Sequence, residues 1–373
     1  MCMIAGYAGN RRAAPVLIEM MRRQQYIDGG RSTGIATLHE GKLYTAKING
    51  NLDCFLAETN GADLPGTVGI MHSRTGDDMA SHAHPFTSQD EKLAVVTNGT
   101  RRDLDLERYF GLANAIMADY YNRGYTIKTA YDAKPKDGPA ERLPDGRGYL
   151  GAETEAFMVE EYVETHPELD KARALREGFW RYLSTLPRDM ITLGVHADLP
   201  DTITIATVTR PMHWAHIGDE SYLATCPLGM PDEVQQGTMV PIPQCSISQV
   251  TAAGLYISDL KPEGVRTEQV DMRICALFYD RLEALLRGRQ DDPLSIYDFN
   301  CYKDWRDLWS EPLIDCKFGV PGGCLKPNSA AVYRALWNFH TEGRLHSVIG
   351  ERKGFPIMKF WLPAERPEAT RAQ

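Results

Sequence analysis

The sequence opens with Met1-Cys2-Met3-Ile4-Ala5-Gly6-Tyr7, where a cysteine directly precedes a short apolar run. The run predicts a strand, so we expect the N-terminus to be held in a sheet. Removal of Met1 would leave an α-amine and a thiol on Cys2. Because both groups titrate near neutral pH, the amine can take the proton of the thiol, and one residue can serve as base and nucleophile. Position alone leaves open an ordinary cysteine at a chain end.

Two later strands end in polar residues that can carry chemistry. The predicted strand Val68–Ser73 is followed by Arg74, and the predicted strand Leu93–Thr97 is followed by Asn98 and Gly99. An asparagine amide beside a glycine N–H offers two neutral donors suited to an oxyanion. Asn-Gly is also the commonest hairpin turn, so this dipeptide alone is weak support for a site.

Composition sets limits on the class of protein. The chain has 373 residues, of which 43% are apolar and 24% charged, and its net charge is −9. These are ordinary globular values, and the acidic total disfavours broad nucleic-acid binding. No run of about 18 apolar residues predicts a membrane helix. The start of the chain lacks a secretory signal, so we expect a cytoplasmic protein. Of the eight scattered cysteines, we expect seven to be reduced, mostly structural thiols, with Cys2 set apart by its position.

Two clusters of predicted strands are separated by grouped helices, a pattern that predicts α+β layers. Residues 125–151 are polar and rich in glycine and proline, and they predict a long surface insertion. Strands are predicted at Ile4–Tyr7, Thr33–Leu38, Leu43–Lys47, Val68–Ser73, Leu93–Asn98, Met190–His196, Thr202–Thr209, His213–Ile217 and Tyr222–Thr225, and helices at Ala14–Gln25, Glu153–Glu164 and Leu169–Leu186.

The sequence changes character after residue 260. The predicted elements are helices at Val270–Leu286 and Ser329–Glu342 and a hairpin formed by Leu345–Ile349 and Phe355–Phe360. This is the outline of a small helical or winged-helix-like module over residues 261–373. DNA contact is one interpretation of it. A packing or subunit-interface role is favoured, because the candidate helix carries few basic residues.

The motifs taken together resemble the class II glutamine amidotransferases, which are N-terminal-nucleophile (Ntn) hydrolases, and especially the glutaminase domain of glucosamine-6-phosphate synthase (glutamine:fructose-6-phosphate aminotransferase). The similarity covers about residues 2–260. The matching segments are Met1–Tyr7 for M-C-G-I-[VA]-G-Y, Gly69–Thr75 for G-x-x-H-T-R-W, Ala83–Pro85 for N-A-H-P, Val95–Gly99 for V-V-x-N-G and Ala152–Glu155 for S-D-T-E.

The resemblance implies a fold and a reaction. The fold would be a four-layer αββα Ntn-hydrolase sandwich over residues 2–260. Cys2 would attack the side-chain amide of glutamine, while Asn98 and Gly99 hold the oxyanion. A thioester would form, and ammonia and glutamate would be released. Arg74 would bind the substrate α-carboxylate and Glu153 the α-ammonium. The resemblance implies neither a metal nor a cofactor.

Several positions depart from the family pattern around the expected substrate pocket. Met3 replaces a glycine, Thr75 replaces a tryptophan, and Glu153 stands where the family has aspartate. Asp77 and Asp78 place two carboxylates near the expected carboxylate-binding subsite, where they would repel glutamine unless they turn away or pair with a cation. These departures indicate either a modified substrate pocket, which would include Thr75, Asp77 and Asp78, or partial loss of activity.

The remaining expectations concern partners and an alternative function. No sugar-isomerase pattern follows residue 260, so the ammonia is expected to pass to a separate synthase subunit; a free-standing glutaminase or another amide substrate stays open. A homo-oligomer is expected. The alternative is a catalytically degenerate protein that binds an amino acid or a partner and acts as a regulator. His82 and His84 could suggest a metal pair, but structural histidines are favoured because no further ligand has suitable spacing.

Overall fold

The computed structural model describes residues 2–75, 80–100, 106–133, 138–186, 189–208, 210–258, 272–299 and 328–364. The strands are β1 Met3–Ala8, β2 Ser32–His39, β3 Lys42–Ile48, β4 Val68–Arg74, β5 Phe86–Thr87, β6 Leu93–Thr100, β7 Asp189–His196, β8 Leu199–Thr207, β9 His213–Ile217, β10 Glu220–Ala224, β11 Met239–Pro241, β12 Ser246–Thr251, β13 Gly254–Ser258, β14 Leu294–Ser295, β15 His346–Arg352 and β16 Phe355–Trp361. The α-helices are α1 Ala13–Asp28, α2 Leu52–Glu58, α3 Leu106–Asn122, α4 Gly151–Thr165, α5 Lys171–Thr185, α6 Asp232–Gln235, α7 Met272–Leu286, α8 Ile296–Phe299 and α9 Asn328–Thr341.

Two large sheets form the centre of the molecule. The first has seven strands in the order β11-β9-β10-β1-β4-β2-β3, and the second has six in the order β13-β12-β8-β7-β6-β5. Neighbouring strands run antiparallel within both sheets over the described residues. The predicted α+β class is confirmed, and the structure shows that its two large sheets are antiparallel.

Alternation along β1 separates two cores. Met3 and Ala5 pack with Leu17 of α1 in the core on the outer face of the first sheet. Ile4 and Ala8 belong to the core between the two sheets. Because successive strand side chains point to opposite faces, the first sheet can bury both of its faces. The side chain of Met3 therefore lies in the core under α1, on the opposite face from Ile4.

The second sheet is also covered on both faces. Val95 of β6 packs in a core built with helices α4 and α5, whereas its neighbour Val96 faces the space between the sheets. The layers therefore run from α1 through the first sheet and the second sheet to α4 and α5. This arrangement places the ends of β1, β4 and β6 close to one another, which matters for the site below.

The C-terminal elements pack against the outer face of the first sheet. Phe278 of α7, Leu336 of α9 and Phe360 of β16 share one core with Leu17 of α1. Strands β14, β16 and β15 form a separate three-stranded sheet in that order. The predicted helix followed by a hairpin is thus present, and its winged-helix assignment stays a prediction. The predicted domain boundary at residue 260 lies outside the described residues.

The segment 125–151 is not purely a surface loop as predicted. Ile127, Leu143 and Tyr149 are buried with α3 and α4 in a small core, and Tyr131 pairs with Gly148. Buried apolar side chains at intervals hold this segment down even though its composition is polar. None of the described helices is both long enough and apolar enough to cross a membrane.

Candidate active site

The start of the chain is tied to the first sheet by side chains as well as by strand pairing. The Ile4 N–H donates to Oγ1 of Thr225 at 2.9 Å, and Nε2 of Gln24 donates to the Ile4 carbonyl oxygen at 3.1 Å. Cys2, two residues before Ile4, is partly exposed and forms no disulfide. Since strand side chains alternate, residue 2 lies on the same side as Ile4, towards the second sheet.

Asn98 reaches from the second sheet to the beginning of the first. Its side chain is 3% exposed, and its Nδ2 donates to the Cys2 carbonyl oxygen at 3.2 Å. The preceding residue, Thr97, points the other way and donates through Oγ1 to Glu155 of α4 at 2.7 Å. Gly99 follows Asn98 and pairs with Met190 of β7. The structure therefore brings Cys2 and the Asn98-Gly99 pair together.

Arg74 ends β4 beside the same terminus. Met3 pairs with Ser73, and Arg74 itself pairs with Ser32 of β2. The guanidinium donates through Nη1 to the His82 carbonyl oxygen at 3.0 Å. Arg74 is thus placed at the Cys2 end of the first sheet by strand register, with a backbone contact that orients its side chain.

A stacked pair of histidines lies beneath this end of the sheets. The rings of His72 and His84 are 3.9 Å apart and nearly parallel, and Nδ1 of His84 accepts the Thr97 N–H at 3.1 Å. His82 packs edge-on against Tyr131 at 4.9 Å. These contacts support the structural interpretation of His82 and His84.

His72 is the unusual member of the pair. It is fully buried, and no hydrogen-bond partner for either ring nitrogen is present in the described part of the chain. Burial, reinforced by the positive charge of Arg74, lowers the pKa of His72 from 6.5 to about 3. The ring is therefore neutral at physiological pH.

Glu153 lies in the first turn of α4 and is already engaged by the chain. Its Oε1 accepts the Lys128 N–H at 2.7 Å, and its Oε2 accepts the N–H and the hydroxyl of Thr129 at 3.0 and 2.6 Å. The carboxylate is 1% exposed, and burial raises its pKa although the bonds from Thr129 and Lys128 oppose the rise. Glu153 thus anchors the segment that follows α3.

The other residues predicted to line the substrate pocket are Thr75, Asp77 and Asp78. Thr75 is partly buried and lies in a cleft with Arg31 and Tyr297. Asp77 and Asp78 lie outside the described residues. The predicted pocket is therefore described only at its Arg74 and Thr75 side.

One group of carboxylates has the spacing of a cation site. Oxygen atoms of Asp90, Glu160 and Glu164 lie within 4.8 Å of one another. Glu160 also contacts His196 at 3.1 Å, and Asp90 lies 3.8 Å from Lys92. Lys92 offsets part of the negative charge, and exposed acidic groups of this kind are common without an ion, so the cluster supports no metal assignment.

Comparison with known sequences finds enzymes named glutamine–fructose-6-phosphate aminotransferase among the relatives of this chain. Over 102 residues the chain is 41% identical to a glutamine–fructose-6-phosphate aminotransferase (isomerizing) of Pyrococcus horikoshii, covering 26% of this chain and 17% of that protein. Over 270 residues it is 26% identical to the enzyme of the same name from Thermosynechococcus vestitus, covering 71% of this chain and 38% of that protein. The resemblance to class II glutamine amidotransferases is confirmed. No family model matches the chain.

A solved structure supports the fold of this amidotransferase relative. Glutamine phosphoribosylpyrophosphate amidotransferase from B. subtilis, in complex with ADP and GMP, superposes with a TM-score of 0.51. The two chains are 16% identical, and the match covers 74% of this chain and 52% of the other. At this identity the similarity concerns the fold alone. The chain spans less than two fifths of the length of both curated relatives described above.

Two features beside the amidotransferase-like site were missed by sequence reasoning. His72 carries a signal in its position, because strand alternation places it on the same face as Ile4. Tyr297 carries none, since the short helix α8 was not predicted and nothing in the sequence links residue 297 to Thr75. Contacts of this kind, distant in sequence, emerge only from the folded chain.

Proposed function

We propose that this protein hydrolyses the side-chain amide of glutamine with Cys2 as an N-terminal nucleophile. The observation that carries the proposal is the Asn98 amide, whose Nδ2 lies 3.2 Å from the Cys2 carbonyl oxygen. A donor from the second sheet thus contacts the residue that carries the proposed nucleophile at the start of the first. The similarity to named amidotransferases supports the same chemistry.

The proposed reaction has two stages. The α-amine of Cys2 accepts the thiol proton, the sulfur attacks the amide carbon, and the Asn98 amide with the Gly99 N–H binds the oxyanion. The C–N bond breaks, the amine returns the proton to the leaving nitrogen, and ammonia departs from a thioester. Water, deprotonated by the same amine, then attacks the thioester carbon; the C–S bond breaks, glutamate leaves, and the amine returns the proton to the Cys2 sulfur. The sum is glutamine and water giving glutamate and ammonia.

Residues at the strand ends bind the substrate in this proposal. Arg74 binds the α-carboxylate, for which a planar guanidinium offers two parallel donors. The role predicted for Glu153, acceptor of the α-ammonium, stays a prediction, because its oxygens already accept three bonds. The proposal also includes delivery of the ammonia to a separate synthase subunit. It further includes assembly of the chain into a homo-oligomer.

One observation favours the second candidate, a binding protein derived from an amidotransferase. The buried Glu153 serves the chain itself, so the site would lack an ammonium acceptor and retain only the carboxylate-binding arginine. Such a protein would bind an amino acid without turning it over.

Intact mass and glutamate release distinguish these candidates. We expect the purified protein to have lost Met1, to release glutamate from L-glutamine, and to take up one equivalent of a glutamine-like electrophile at Cys2. Cys2→Ala should abolish both release and labelling, whereas Cys54→Ala, which changes the partly exposed cysteine of α2, should leave them intact. Retention of Met1, or turnover that survives Cys2→Ala, contradicts the mechanism.

A further inference from the structure

The strand that carries the Asn98 amide loses one of its two neighbouring strands just before it reaches the site. Strand β5 pairs with β6 at Ala94 and Val95, whereas β7 pairs with β6 as far as Thr100. From Val96 onward, β6 therefore has a strand on one side alone among the described residues. Because pairing on one side permits a larger twist, the direction of the Asn98 side chain depends on what else holds this end of β6.

An imidazole accepts the bond that a neighbouring strand would otherwise accept. The register of β5 on β6, with Phe86 opposite Val95, would bring residue 84 opposite Thr97. There the Thr97 N–H donates to Nδ1 of His84 at 3.1 Å and not to a main-chain carbonyl oxygen. His84 is buried, and its ring stacks on that of His72 at 3.9 Å. A buried side chain thus holds β6 on the side where β5 has ended.

The hydroxyl of Thr97 holds the same residue from the helix-facing side of the sheet. Its Oγ1 donates to Oε2 of Glu155 in α4 at 2.7 Å and lies 2.8 Å from Oγ1 of Thr192 in β7. All three side chains are buried. Because a buried polar group that loses its partner does not regain a bond to water, these contacts resist any rotation of residue 97.

Asn98 is the residue whose direction these contacts fix. Successive side chains of a strand point to opposite faces, so holding Thr97 towards α4 turns Asn98 towards the first sheet. There its Nδ2 donates to the Cys2 carbonyl oxygen at 3.2 Å. An oxyanion donor is effective when it is aimed in advance at the place where charge develops. A rotation of residue 97 would move the Asn98 amide and the Gly99 N–H together.

We propose that Thr97 is a positioning residue for the two oxyanion donors, held by Glu155 from α4 and by His84 from the open side of β6. We call these three residues the brace. In the proposed reaction the brace acts through the direction of the Asn98 amide and not on the substrate. This inference rests on the proposed function, which assigns the oxyanion role to that amide. The fixed direction of the amide is a property that can be measured without turnover.

Two substitutions at Thr97 test the brace. Thr97→Val keeps a β-branched side chain of nearly the same size but removes the hydroxyl, whereas Thr97→Ser keeps the hydroxyl. NMR with isotope-labelled asparagine follows the side-chain amide protons of Asn98, whose signals are assigned by their loss in Asn98→Ala. Exchange of these protons with solvent should be about tenfold faster in Thr97→Val and close to wild type in Thr97→Ser.

Thr204→Val is the matched control for the loss of a buried hydroxyl. Thr204 lies in β8 of the same sheet, is buried, and accepts a bond from Nε2 of Gln249 at 3.2 Å through its Oγ1. Denaturant titration compares the stability of this variant with that of Thr97→Val. The Asn98 amide protons of Thr204→Val should exchange as in wild type. Equal exchange rates in Thr97→Val and Thr204→Val overturn the proposal.

The partner of the hydroxyl provides a second, independent pair of variants. Glu155→Gln keeps an oxygen that accepts the Thr97 hydroxyl, so the exchange rate should stay near the wild-type value. Glu155→Leu removes the acceptor and should reproduce the effect of Thr97→Val. Because both changes break one contact, the double variant should exchange no faster than either single variant. Effects that multiply in the double variant would show that Thr97 and Glu155 do not act through their mutual bond, which also overturns the proposal.

Turnover separates the brace from the proposed function. In Thr97→Val the kcat for glutamine should fall about tenfold with KM little changed, because oxyanion binding is lost in the transition state alone, and Thr97→Ser should restore kcat. If the wild type does not hydrolyse glutamine but the amide protons respond as expected, the proposed function fails and the brace stands. If glutamine is hydrolysed but neither kcat nor amide exchange changes in Thr97→Val, the brace fails and the proposed function stands.

Discussion

The two halves of the candidate site differ in how far the chain has satisfied their polar groups. At the nucleophile half, made by Cys2, Asn98 and the underlying His72, strand ends bring polar groups together, and the two nitrogens of His72 are left without partners among the described residues. At the other half, the carboxylate of Glu153 accepts three bonds from Lys128 and Thr129. The first half thus leaves buried polar atoms without a partner in the described part of the chain, whereas in the second half the chain itself occupies the carboxylate.

This difference has a structural origin. The nucleophile half is built from strands whose register is fixed by two buried sheet faces, because a slip of one residue would turn every core side chain outwards. The Glu153 half depends on the segment between α3 and α4, whose path is set by three bonds and a small core. Function carried over from relatives is therefore safer where register fixes a residue than where a loop does.

Removing the Asn98 amide tests the nucleophile half and should have the largest effect. Asn98→Ala should lower kcat for glutamine about 100- to 1000-fold, because one of two oxyanion donors is lost, while KM changes little. Asn122→Ala, at the exposed end of α3, is the control. Glutamate release by Asn98→Ala at a rate close to wild type would show that the amide donates to the Cys2 carbonyl only as a structural contact.

Glu153→Gln tests the other half and should act on stability. The amide keeps one acceptor oxygen but turns an NH₂ group towards N–H and O–H donors, so the free energy of unfolding should fall by about 1–3 kcal/mol. Denaturant titration measures this change. Because Glu153 binds groups of the chain and not the substrate, the KM for glutamine should stay near the wild-type value.

A large rise in KM with unchanged stability would contradict that outcome and would support the ammonium-binding role predicted from the sequence. Glu161→Gln changes a half-buried carboxylate of the same helix that is bonded to Arg123 and Tyr120, and it provides the control for a charge change that leaves the Glu153 pocket intact. Whether Glu153→Gln changes the free energy of unfolding or the KM for glutamine therefore decides between the two roles of Glu153.

The parts that sequence could predict are those governed by short-range periodicity. The strand predicted at Ile4–Tyr7 is β1 with one residue added at each end, and His213–Ile217 is reproduced as β9. The convergence of Cys2, Arg74 and Asn98 could also be anticipated, because each stands at the end of a predicted strand and the motifs resemble those of known enzymes.

The parts that sequence could not predict depend on contacts distant along the chain. Helix α3 was not predicted, although Asp105 directly precedes its first residue, Leu106, and aspartate is a common N-cap residue. The burial of Ile127 and Tyr149 in a polar segment, and the bond from Tyr297 to Asp28, arise only when separate elements pack together. Propensity and periodicity describe residues that are close in sequence, so they cannot predict such long-range contacts.

A further effect concerns His72 and is seen only in the pH dependence of stability. Its pKa is about 3 in the folded chain and about 6.5 when unfolded, so the unfolded chain binds the extra proton between these values. Stability should therefore fall as the pH drops from about 6.5 towards about 3, with this residue contributing up to about 1.4 kcal/mol per pH unit. His72→Phe keeps a ring against His84 but cannot bind the proton, so its unfolding free energy should fall less steeply. Parallel denaturant titrations measure the difference in slope, with the exposed His39→Phe as control, and equal slopes for His72→Phe and wild type would show that His72 finds a proton-accepting partner in the folded protein.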